Sequence, residues 1–312
     1  MIDFRYHLVS IVSIFLALAV GIVLGAGPLK EDIGNTLTSE VTKLREDRTQ
    51  LRAQLDDADK AAQARDTFTE ASNKSLLAGR LEDTTLTVVV LPGADANLVK
   101  ATTGTLSQAG AKIGSTVTVL DAWVDPDKDA FRSTLGEQLA PSVQAPLDGS
   151  GEVVDQVLAR ALLTKAGGSG SGAAAALEGL RTGELIRYTP DNVTAATGAV
   201  VIGGPVKGGT AEERTAKATA LSRLAGALDA AGNGAVLVAH SADQGDNPQE
   251  SVVTAARQDS DQAKQLTTVE HAEMPMGQAS IVFGLLEQFA GGAGQYGLEA
   301  DANAPFPALA TK

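Results

Sequence analysis

No charged residue occurs from Leu8 to Ala26, a stretch that reads LVSIVSIFLALAVGIVLGA. As a helix it would be about 28 Å long, close to the hydrocarbon thickness of a bilayer. The pattern predicts a transmembrane segment over residues 1–27. After Pro28 the chain turns polar and the spacing changes. Leu37, Leu44, Leu51 and Ala58 recur every seven residues, and Val41, Arg48, Leu55 and Ala62 form a second series four residues later. This is the a/d alternation of a coiled coil, predicting a stalk over residues 28–82. From residue 83 the pattern changes again. Four runs rich in β-branched residues, Thr85–Leu91, Ser115–Leu120, Ala199–Ile202 and Ala235–Ala239, each end near a turn signal. Between them lie helix-like stretches such as Ala94–Gln108 and Ala211–Ala231.

Apolar strands alternating with helices predict an α/β domain over residues 83–312. Its expected core is a mostly parallel, Rossmann-like sheet with helices on both faces. A last amphipathic helix is expected at Gly277–Ala290, with Ile281, Val282, Leu285, Leu286 and Phe289 on one side. The stretch Ala166–Gly172 (AGGSGSG) reads as a flexible surface loop.

For residues 1–27 an uncleaved signal anchor fits the long apolar run. Ala17, Ala19, Gly25 and Ala26 could mimic the small-residue site of a cleaved signal peptide, and a buried core helix is the third possibility. Arg5 and the N-terminal amine favour a cytoplasmic N-terminus, while Lys30 is offset by Glu31 and Asp32. The expected arrangement is a single-pass plasma-membrane protein with an extracytoplasmic body. Ala17, Gly21 and Gly25 share one face of the span, a spacing that lets two helices approach closely. In the stalk, Leu37, Val41, Leu44, Arg48, Leu51 and Leu55 form the expected seam of a parallel homodimer. Glu40 with Arg45 and Asp47 with Arg52 are opposite charges at the g and e′ positions that flank it. Arg48 in an a position costs stability but can fix strand number and register.

The net charge of −13 and pI near 4.7 argue against nucleic acid and against adhesion of the body to anionic lipid. Cysteine is absent, which removes disulfides, thiolate metal sites and cysteine nucleophiles. Aromatic residues are too few for a base- or sugar-stacking platform. The loops starting at Pro92, Asp121, Gly203 and His240 stand where ligands bind in open α/β sheets. No G-x-G-x-x-G or G-x-x-x-x-G-K-[ST] follows any expected strand. His240, Ser241 and Asp243 carry hydrolase-like side chains, but adjacency in sequence does not make a triad, and the chain reads as non-enzymatic. A more pointed cluster is His271-Ala272-Glu273-Met274-Pro275-Met276, which holds two of the three methionines. Imidazole and thioether donors suit Cu(I), so His271, Met274 and Met276 are candidate ligands; the alternative is that the methionines simply anchor a helix in the core.

The string Arg5-Tyr6-His7-Leu8-Val9-Ser10 and the run Phe15–Gly25 resemble the start of the MctB copper transporter family. Gly277-Gln278 and the string Gly291-Gly292-Ala293-Gly294-Gln295-Tyr296-Gly297 resemble that family's tail, and the layout matches over essentially the full chain. The resemblance implies a role in copper homeostasis or export. Because the family includes SteB-type envelope proteins, it also implies action in cell division with a SteA-like membrane partner and control of a peptidoglycan hydrolase; an anchor, a parallel stalk and a body without an obvious site equally describe a non-enzymatic dimeric scaffold. Only Ser10 and Ser13 are polar between Leu8 and Ala26, so one such helix offers no conduction path by itself.

Overall fold

The computed structural model describes residues 4–25, 29–147, 152–165, 172–240 and 251–309, with 29–36 by backbone alone. The chain divides into two compact units, Met1–Arg65 and Asp66–Lys312. The first unit holds helix α1 (Phe4–Gly25) and most of α2 (Leu29–Leu76). α1 is long and apolar enough to cross a membrane, and none of its residues is buried. α2 runs without interruption for 48 residues, about 72 Å.

In the second unit the elements follow in the order β1 (Thr85–Val90), α3 (Ala96–Gln108), β2 (Lys112–Val119), α4 (Asp129–Val143), α5 (Val153–Leu162), α6 (Ala173–Thr182) and β3 (Ile186–Thr189). There follow β4 (Gly198–Ile202), α7 (Ala211–Ala231), β5 (Ala235–Val238), α8 (Val252–Gln258), α9 (Gln262–Gln265), β6 (Thr267–Val269), α10 (Pro275–Phe289) and β7 (Gln295–Tyr296). The strands form one sheet of order β3-β2-β1-β4-β5-β6-β7, parallel except for β3 against β2. The direction of strand addition reverses between β1 and β4.

Residues alternate between two cores along the central strands. Val89, Val201 and Leu237 face one cluster with Leu158, Leu177 and Leu224 of α5, α6 and α7. Val88, Val200 and Val236 face another with Leu98 and Leu106 of α3 and Ile281 and Phe283 of α10. Helices therefore cover both faces, the reason these strands read as continuous apolar runs.

Three differences from the sequence reading have physical causes. β3, β6 and β7 are two to four residues long and carry Arg, Tyr, Thr and Gln, so they lack an apolar signature. α10 is not amphipathic: Ala279 to Leu285 are all buried, because α3 and the sheet lie against it. α3 starts at Ala96 rather than Ala94, because Asp95 caps it through the Asn97 and Leu98 amides. Of AGGSGSG, only Gly172 lies within the described residues, as the cap before α6.

Leu77 and Leu81, just past α2, are each 1% exposed and belong to the α3–α10 core. The Arg80 guanidinium stands 5.6 Å over the Phe283 ring. Asn73, also buried, donates through Nδ2 to the carbonyl of Pro275 at 2.7 Å.

Candidate functional site

The carboxyl ends of β1, β4, β5 and β6 lie side by side, and their loops carry the residues with the most distinctive chemistry. After β1, Asp95 Oδ1 accepts from the amides of Asn97 at 2.8 Å and Leu98 at 3.0 Å. The Leu98 amide foremost, helped by the Asn97 amide and by His240, holds this carboxyl below its usual range. After β5 comes His240. Its Nε2 lies 3.7 Å from Asp95 Oδ1 and its Nδ1 3.3 Å from Glu273 Oε2. The two carboxylates meet opposite nitrogens of one ring, so a single ion bound at either nitrogen cannot collect all three groups. No three His, Asp or Glu side chains among the described residues converge on a metal position.

After β6, the chain enters the His271–Met276 turn. His271 takes a left-handed backbone, φ 51°, and its carbonyl accepts from the Met274 amide at 3.0 Å. A Cβ on Gly277 would stand 2.1 Å from that carbonyl, so glycine is what lets the turn fold back on the start of α10. Met274 caps α10, Pro275 is its first residue and Met276 follows; both methionines are half-buried. His271 is 8% exposed, and its Nδ1 has no hydrogen-bond partner among the described residues. Gln278, equally buried, donates to the Ala272 carbonyl at 2.5 Å while its Oε1 is likewise unpaired. A buried polar atom without a partner costs about 1–3 kcal/mol, and such atoms in native proteins call for an explanation such as a ligand. The three sequence candidates thus lie in one turn, and one of them presents an uncommitted buried donor.

At the strand-order reversal, the loops after β1 and β4 meet main chain to main chain. A Cβ on Gly204 would stand 2.0 Å from the Gly93 carbonyl oxygen, and one on Gly93 would stand 2.6 Å from that of Pro205. In doubly wound sheets this crevice is where nucleotides bind; here peptide backbone packs across it.

Ser241 and Asp243 lie outside the described residues. Of the stalk candidates, Leu37, Leu44, Leu51 and Leu55 are all exposed, as is Val41. Around Gly21 and Gly25 nothing stands within 4 Å of an added Cβ. Among α5, α7 and α9, a groove of about 250 Å³ is lined by Asp155, Arg223, Asp229 and Gln262 among others. Asp155 accepts from Trp123 Nε1 at 3.0 Å, and burial foremost pushes its carboxyl up to about 7. Asp229, which accepts from the Ala235 amide at 2.8 Å, is pushed by burial to about 6.

Sequence reasoning missed Asn73 and Gln278, because each acquires its role from a partner brought in by the fold. It also missed Arg257. This buried side chain donates to Thr268 Oγ1 and the Tyr296 carbonyl and pairs with Glu270 and Asp301, tying α8, β6 and β7 to the C-terminal segment.

The family model described as "Copper transport outer membrane protein, MctB" matches residues 1–307. The protein named copper transporter MctB of Mycobacterium tuberculosis is 26% identical over 308 residues, covering 95% of this chain and 96% of its own. The protein of the same name from Mycobacterium leprae is 27% identical over 317 residues, covering 96% of each.

Proposed function

The chain belongs to the MctB family, and from that premise we propose that it is a membrane-anchored copper-handling protein whose His271–Met276 turn binds Cu(I). The observation that carries this reading is the buried, unpaired Nδ1 of His271 in a turn that also holds Met274 and Met276. Thioether is a soft donor that suits Cu(I) and imidazole is a common copper ligand, and a nitrogen without a competing hydrogen bond is free to bind. The copper relatives at 26–27% identity over nearly the whole chain support the same cargo. Residues 4–25 anchor the protein in the plasma membrane, the N-terminus is cytoplasmic and the body lies outside. A C-terminal alkaline phosphatase fusion is then active and a fluorescent fusion dark; the reverse pattern rejects this orientation.

The test of the copper reading is a Cu(I) competition titration of the full chain in detergent, beside the His271→Ala/Met274→Ala/Met276→Ala variant. Tight, stoichiometric uptake by the wild type and its loss in the variant support the reading. No uptake by the wild type rejects it.

A second reading rests on α2. Its exposed Leu37, Leu44, Leu51 and Leu55 with complementary flanking charges suit a parallel homodimer. A dimeric, non-enzymatic scaffold engaging a SteA-like membrane partner accounts for that stripe without any metal. Capture of such a partner by the wild type, lost on replacing Leu44 and Leu51 with Asp, distinguishes it.

A further inference from the structure

The candidate copper turn is held from two sides. On one side it continues from β6. On the other, the carbonyl of Pro275, the residue between the two methionines, accepts from Asn73 near the end of α2, 202 positions earlier in the chain. Asn73 is 7% exposed, so this bond is made away from water, where replacing one partner leaves the other unpaired. The packing around it is continuous: Leu77 and Leu81 share a core with Ala279 and Phe283 of α10, and Arg80 covers the Phe283 ring. Gly277 permits no Cβ against the His271 carbonyl, so the turn and the first turn of α10 are in direct contact. A shift of the end of α2 relative to α10 therefore acts first on Pro275 and on the residues joined to it.

We propose that Asn73 is a positioning residue through which the end of α2 sets the geometry of the Met274-Pro275-Met276 step. This rests on the copper reading for its consequence, but the mechanical link stands on its own geometry. The chain contains three methionines, Met1, Met274 and Met276, so a methyl spectrum of the full chain labelled with ¹³C-methyl methionine reads the turn directly. The signals are assigned with single Met→Leu variants, the protein being held in detergent.

Asn73→Asp keeps the side chain's size but, ionised at pH 8, has no donor for the carbonyl. It is expected to move the Met274 and Met276 signals, leave Met1 in place and weaken Cu(I) binding about five- to tenfold, the scale of one hydrogen bond. Leu224→Ala, a core change on the opposite face of the sheet, is the control for general loosening and is expected to leave those signals unmoved. Asn73→Asp that lowers the melting temperature without moving either signal overturns the proposal. So does Leu224→Ala moving them as far as Asn73→Asp does. If the wild type takes up no Cu(I), the copper reading falls, and the methyl shifts alone still decide whether Asn73 positions the turn.

Discussion

Leu44 in α2 is 65% exposed, whereas Leu81, beyond the end of the same helix, is 1% exposed. The first belongs to a stripe with Leu37, Leu51 and Leu55; the second lies in the core with Leu98 and Phe283. Each leucine left in water forgoes about 1.5–3 kcal/mol of burial. No leucine of the stripe belongs to either core of the body, and the proposed occupant of the stripe is another copy of α2.

The sharpest way to break this comparison is to make the same substitution in both regions. Leu81→Asp places a charge in an apolar core and is expected to abolish cooperative unfolding, a loss above about 5 kcal/mol. Leu44→Asp is expected to leave the unfolding of the body unchanged. Trp123, the one tryptophan and 2% exposed, reports the transition by fluorescence in urea. Equal damage from the two variants would show that the stripe is part of the body's fold.

A pH scan gives the next largest separation. Asp155 titrates near 7 when folded and near 3.8 in the unfolded chain, because burial disfavours its charge. Its contribution is fully present below about pH 3.8 and is lost as pH rises through about 7, a total on the order of 4 kcal/mol. The body should therefore become less stable from pH 4 to 8 in urea titrations read by Trp123, and Asp155→Asn should remove that residue's share of the dependence, leaving the part carried by Asp229 and Glu270, which burial pushes up to about 6 and about 7. A wild-type profile that is already flat would refute the assignment.

Glycine repeats the contrast on a smaller scale. Gly204→Ala forces apart two main-chain segments and is expected to cost about 1–3 kcal/mol by the same measurement. Gly21→Ala meets open space and should leave the body's transition in place. The smallest effect on the body is the most telling for the stripe. Leu44→Asp with Leu51→Asp should shift its stability by less than about 0.5 kcal/mol, yet turn a dimer into a monomer in sedimentation of the full chain in detergent. A monomeric wild type would remove the stalk proposal.

What could be read from the sequence follows the same division. β1, β4 and β5 were visible because strands covered on both faces must be apolar at nearly every position, as Val88, Val89, Val200 and Val201 are, and β2 was visible by its β-branched run Thr116 to Val119. β6 and β7 were not, because Thr268 and Gln295 satisfy each other inside the sheet, with Gln295 Oε1 accepting at 2.6 Å. Buried polar pairs of this kind carry no apolar signature. α10 looked one-sided because its five largest apolar residues fall on one stripe; Ala279, Ser280 and Gly284 on the other side are small enough to be buried without announcing it. In the candidate site, the string from His271 to Met276 was legible because its members are neighbours in sequence. The left-handed backbone of His271, the Asn73 bond to Pro275 and the closing of Gly204 on Gly93 arise from tertiary contacts, and no local pattern encodes them.

Concentrating the methionines in one turn has a further consequence under oxidative stress. With no cysteine in the chain and Met1 at its start, all the oxidisable sulfur of the body is at Met274 and Met276. Sulfoxide formation there turns a soft thioether into a hard, polar oxygen donor in the turn that begins with the buried His271. Peroxide damage to the body's sulfur is thereby focused on a single turn, and a methionine sulfoxide reductase acting at that turn would be enough to undo it.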